Sequence, residues 1–176
     1  MYASSRRPTE AGQSVVELAV AVPVLVLLLM SVFNITVLIS DRLIAGYATR
    51  TGARMAAELG NGQGGLSTAQ VDQQVVESVF ASSSNLDFAT ITRIDIYRPS
   101  RADGAYVSTD LQDSYDANRN AIGVLTYPVT VRQVTPPAED SMGVRIVWQY
   151  SPSLGVYSFS ATLSEYTVMK AAPVLQ

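Results

Sequence analysis

Leu18 to Ile39 reads LAVAVPVLVLLLMSVFNITVLI, 22 residues without a charge. As a helix this run would rise about 33 Å, enough to cross a hydrocarbon core of about 30 Å. Pro23, Ser31, Asn34 and Thr36 are its only interruptions. A cleaved secretory signal has an apolar region of about 7–15 residues followed by an A-x-A-like site. This run is longer, and Ser40-Asp41-Arg42-Leu43-Ile44 behind it forms no such site. A soluble core helix rarely has apolar residues on every face. The run therefore predicts a retained single span over 18–39, solvated by the lipid bilayer.

The same run explains the composition. Hydrophobic residues make up 48 % and charged residues 15 %, against a soluble norm of roughly 25 % charged. Mean hydropathy is +0.19, and the excess sits in one place, which argues against several spans. Disorder is excluded, because disordered chains are apolar-poor and charge-rich. Cys and His are both absent. That removes disulfide frameworks, Cys- or His-ligated zinc, cysteine nucleophiles and imidazole triads, and no cofactor is expected. Lys+Arg 12 against Asp+Glu 15 gives a net charge of −3, the wrong sign for a nucleic-acid partner.

Beyond the span, Asp41 to Leu59 is rich in alanine. Leu43, Tyr47, Arg50 and Arg54 fall on one helical face, while Ala45, Ala48, Gly52, Ala56 and Ala57 make another face small, as close helix–helix contact prefers. One long helix over 13–59 is expected, kinked at Pro23 or tolerated there by a partner helix. A glycine-rich linker, 60–66, ends it. Ser67 and Gln70 then form a capping box that opens a short helix over about 67–82, with Val71, Val75, Val76, Val79 and Phe80 as its apolar stripe. The period then changes to alternation. Ile91–Tyr97 reads as a strand, with Asp103-Gly104 as a turn before Ala105-Tyr106-Val107. Gly123–Val134 (interrupted by Pro128), Val144–Tyr150 and Tyr157–Met169 are further strand candidates. The expected fold class is α+β: a long membrane-spanning helix, then a short helix and a small antiparallel sheet in a domain over 67–176.

The sharpest motif precedes the span: Arg6-Arg7-Pro8-Thr9-Glu10-Ala11-Gly12-Gln13-Ser14-Val15-Val16-Glu17-Leu18. A carboxylate in a span costs about 2.5–3.5 kcal/mol at the centre and less near an end, so Glu17 calls for a partner. If the chain were cut after Gly12, the new amine of Gln13 would lie one turn from Glu17. In a stack of subunits each Glu17 could then neutralise a neighbour's terminal ammonium. The start of a helix also favours a carboxylate through the helix dipole.

These residues resemble the TadE-like minor pilins, or pseudopilins, of the tight-adherence (Tad/Flp) branch of type IV pili. Gly12 and Glu17 look like the prepilin peptidase motif, with cleavage between Gly12 and Gln13. The opening through Pro23 matches the family pattern, although Leu18 stands where an aromatic is common. Thr51-Gly52-Ala53-Arg54-Met55-Ala56-Ala57 is similar to the helix that follows in the family. Ala161–Ser164 through Met169–Pro173 is similar to its closing strand. Residues 61–142 carry no resemblance. The resemblance implies a structural subunit, not an enzyme, anchored in the bacterial cytoplasmic membrane. Its leader, 1–12, would be cytoplasmic and its domain extracytoplasmic, or carried into the extracellular pilus on assembly. Implied partners are other pilin and minor pilin subunits, the prepilin peptidase and the inner-membrane assembly platform.

Two other functional classes stay open. One is a membrane-anchored binding module unrelated to pili, and the other is an anchored enzyme working with Ser, Lys or Asp chemistry. Asp110, Asp113, Asp116, Asn118 and Asn120 crowd one stretch, and Asp116–Asn120 has the first spacings of a calcium loop. Ala121 replaces the required glycine there and Tyr127 the closing glutamate, so a solvated turn is the better reading. The tyrosines suit strand faces or subunit contacts.

Overall fold

Helix α1 runs from Thr9 to Leu59 with Pro23 inside it, starting four residues earlier than the sequence suggests. The computed structural model describes residues 9–60, 62, 65–134, 138–154 and 157–172. It divides into a unit ending at Val37 and a second beginning at Leu38.

In the first unit the apolar side chains point outward. Val15, Val24 and Leu29 are 66 %, 61 % and 59 % exposed. Two of the polar interruptions satisfy themselves on the helix. The Ser31 hydroxyl donates to the Leu27 carbonyl at 2.8 Å and the Thr36 hydroxyl to the Val32 carbonyl at 2.9 Å, so neither needs water inside an apolar medium.

The second unit is an α+β layer. Helix α2, Thr68–Ser82, opens on the expected capping box: Ser67 Oγ accepts from the Gln70 amide, and Gln70 Oε1 accepts from the Ser67 amide at 2.9 Å. Strands β1 (Ala89–Arg98), β2 (Leu111–Asp116), β3 (Ser141–Tyr150) and β6 (Ala161–Lys170) form an antiparallel sheet in the order β2-β1-β3-β6. Strands β4 (Ser153–Leu154) and β5 (Tyr157–Ser158) pair separately. Alternation along β3 turns Met142, Val144, Ile146, Trp148 and Tyr150 to one face, all fully buried. Ile94 and Ile96 of β1 lie opposite Ile146 and Val144.

The small face of α1 explains how close the layers come. Ala45, Ala48, Ala53 and Ala56 are fully buried. A Cβ on Gly52 would lie 2.5 Å from Val79 of α2 and 3.2 Å from Val144 of β3. This face therefore packs on the chain's own second helix and sheet. Across the sheet, Tyr97 lies flat over Gly143, and its hydroxyl donates to the Gly104 carbonyl at 2.7 Å. That bond draws the 99–110 loop over the outer face.

Three expectations are corrected. Gly123–Val134 is not a strand but an irregular segment. Ala105–Val107 is loop, and the strand after the Asp103-Gly104 turn is Leu111–Asp116, inside the stretch read as an acidic loop. Tyr157–Met169 is two strands, with β6 beginning at Ala161.

Candidate functional site

The motif residues share one helical segment. Gly12 has open space where a Cβ would sit. Gln13 and Glu17 are one turn apart, and Gln13 Nε2 donates to Glu17 Oε1 at 3.0 Å, an exposed bond. Among the described residues no cation neutralises Glu17. Val16, Leu18 and Val20 around it are 64 %, 63 % and 65 % exposed, so the carboxylate sits in an apolar field. Because α1 starts at Thr9, Glu17 lies about 12 Å along the helix from its start, beyond the first turn where the dipole acts. A cut after Gly12 would bring that start to within about 6 Å of Glu17.

The second unit holds a charged cluster that the sequence reading did not find. Arg132 Nη2 donates to Asp72 Oδ1 of α2 at 2.7 Å and to Asp113 Oδ2 of β2 at 3.2 Å, and all three side chains are fully buried. Arg132 Nε donates to the Tyr127 carbonyl at 3.0 Å, and its guanidinium lies 5.0 Å from the Tyr127 ring centre. The Tyr115 hydroxyl donates to Asp72 Oδ2 at 2.9 Å. Burial pushes Asp72 up to about 6, and the facing Arg132 opposes this without cancelling it. Burial, reinforced by Asp72, also raises the Tyr115 hydroxyl well above its ordinary range. Two carboxylates share one guanidinium here, sealed from solvent, so the cluster pins the 123–134 segment to α2 and β2 rather than meeting a solute. One signal was available: Asp72 sits three and four residues before Val75 and Val76, on the apolar stripe of α2.

A second ionic group lies on the outer face of the sheet. Buried Asp95 accepts from Arg93 at 2.5 Å, from Ser114 at 2.7 Å and from Arg145 at 3.3 Å. The acidic residues near 110–120 do not converge. Asp110 accepts from the Ser100 and Val107 amides, and Asp113 belongs to the Arg132 cluster. Asp116 Oδ1 accepts from the Asn118 and Asn120 amides, each at 2.8 Å. A solvated turn forms only at 116–120, while Asp110 and Asp113 are buried. Among the described residues no group of three or more His, Cys, Asp or Glu is placed to hold a metal ion.

Within α1, from Gly12 onward, an 18-residue window has a mean hydropathy of 2.7 and no buried residue, which fits a single-pass membrane anchor. Neither a curated protein nor a solved structure matches the chain. Residues 12–54 match the family model described as TadE-like protein, a structural, pilus-related family.

Proposed function

We propose that the chain is a minor pilin, or pseudopilin, of a Tad-type pilus. In this reading a prepilin peptidase on the cytoplasmic side cuts between Gly12 and Gln13 and releases residues 1–12. The trimmed subunit stays in the cytoplasmic membrane with its domain outside until the assembly platform adds it to other pilin and minor pilin subunits. The observation that carries the reading is Glu17, a carboxylate one turn from Gln13 in a helical stretch whose valines and leucines, as far as Val32, are exposed.

The chemistry follows from that position. The apolar surface of α1 is stable only against lipid or against like helices, so transfer from bilayer to filament exchanges one apolar environment for another. An ionised carboxylate tolerates that exchange only when it is paired. Removing residues 1–12 creates the ammonium that a neighbour's Glu17 can pair with, and it brings the positive end of the helix close to Glu17. Gly12 also lowers the cost of unwinding the first turns for the peptidase, since glycine costs about 1 kcal/mol relative to alanine in a helix. Pro23 removes one backbone donor inside the span, and packed neighbouring helices compensate for the freed carbonyl.

Glu17→Ala separates the steps. Cleavage should continue, because the scissile bond is untouched, while the amount of subunit recovered in sheared pili or in cross-linked pilin complexes should fall at least about tenfold, the equivalent of about 1.4 kcal/mol. A membrane-anchored binding module predicts an uncut chain and indifference to the substitution.

A further inference from the structure

The outward face of α1 just beyond the span carries a groove of about 280 Å³. Arg42, Gly46 and Arg50 stand at successive turns along it, Leu43 and Tyr47 form its rim, and Glu165 of β6 lies at its side. Gly46 creates the gap, because a Cβ there would meet nothing within 4 Å. Leu43 and Tyr47 are 71 % and 64 % exposed. Arg42 uses Nε alone to bind Glu165, at 2.7 Å, leaving its terminal nitrogens. Arg50 has no hydrogen bond or ion pair among the described residues. Two guanidinium groups against one carboxylate leave the groove with one net positive charge.

We propose that this groove holds the phosphate of an anionic phospholipid headgroup from the leaflet the domain faces. Position along the chain supports a lipid. Arg42 is three residues past Ile39, about 5 Å along a helix, within a headgroup layer of about 5–8 Å. Arg50 is further out but reaches back, since helical side chains lean toward the N-terminus and long cationic ones extend to the interface. Tyr47, about 12 Å past Ile39, leans back toward that boundary, which tyrosine favours with its hydroxyl in water. Guanidinium groups bind phosphate oxygens through paired N–H donors. Leu43 and Tyr47, about 6 Å and 12 Å past Ile39, would flank the headgroup rather than the acyl chains. The proposal needs the membrane span but neither peptidase processing nor pilus assembly, so its failure leaves the pilin reading untouched.

Native mass spectrometry of the full chain in neutral detergent, offered equal amounts of dioleoylphosphatidylglycerol and dioleoylphosphatidylcholine, tests it. The chain should retain the anionic lipid about fivefold over the zwitterionic one, a modest margin for charge-assisted contacts in competition with water. Arg50→Gln should abolish the preference. Gly46→Leu should abolish it too, while keeping every charge and, given the open space, the fold, as unchanged thermal unfolding would verify. Arg54→Gln removes the same charge outside the groove, from an arginine already paired with Glu58 at 2.8 Å, and should leave the preference intact. Equal retention of both lipids by the native chain overturns the proposal, as does an undiminished preference in Gly46→Leu. An equal loss in Arg54→Gln would mean diffuse charge attraction and also overturns it. Displacement of the lipid by millimolar inorganic phosphate would make this a free-phosphate site and overturn the lipid assignment.

Discussion

The two units of this chain are inside-out relative to each other. Up to Val37, α1 turns valines and leucines outward, and Glu17 is hydrogen-bonded to a neutral amide. From Leu38 onward the core residues are apolar, and charged side chains, Asp72, Asp113 and Arg132 among them, are sealed in with them. The first unit depends on surroundings it does not contain, while the second carries its own partners. The two should therefore respond oppositely to mutation.

The largest effect expected is Arg132→Met. It leaves Asp72 and Asp113 buried without their counter-charge and should cost about 3–5 kcal/mol in unfolding of the domain, measured by denaturant titration of the full chain in detergent. Next come two glycines of one helix with opposite signs. Gly52→Val pushes a side chain into Val79 and Val144 and should cost about 1–3 kcal/mol by overpacking. Gly46→Ala meets nothing and should gain up to about 1 kcal/mol from helix propensity, read as opposite shifts in melting temperature.

The pH dependence of stability follows from Asp72. Its folded value of about 6 lies above its ordinary value of 3.8, so between those values the folded state binds more protons than the unfolded one. Its contribution to stability is therefore full below about pH 4 and is lost as pH rises through 6. Between pH 5 and 7 this amounts to about 1 kcal/mol. The slope of melting temperature against pH should flatten in Asp72→Asn. The smallest effect belongs to the first unit: Leu25→Ala, at a site 56 % exposed, should change unfolding of the domain by less than about 0.5 kcal/mol.

The same contrast decides what could be read in advance. The span, the Gly12–Glu17 spacing and the Ser67 capping box are local patterns, legible because each is complete within a few residues. The small face of α1 was legible as a packing face, but not which surface it meets, because Val79 and Val144 lie far along the chain. Gly123–Val134 misled for a physical reason. Its apolar residues do not alternate in burial, since 121–124 are all exposed and the buried Tyr127 and Arg132 stand five apart, and side chains supply the hydrogen bonds that a ladder would. Asp113 accepts from the Tyr127 amide at 2.9 Å, Thr68 from the Val129 amide at 3.2 Å and Asp140 from the Gln133 amide at 3.0 Å. The Arg132 cluster draws on α2, β2 and that segment at once, so no local period announces it.

The central proposal concerns the first unit: that Glu17 pairs with an amine created by cleavage after Gly12. Intact-mass and N-terminal peptide analysis of the chain purified from membranes of cells that contain a prepilin peptidase tests it directly. The account predicts a chain beginning at Gln13, with or without a methyl group on its amine. A mature chain that begins anywhere else, or one that retains residues 1–12 in full, contradicts it.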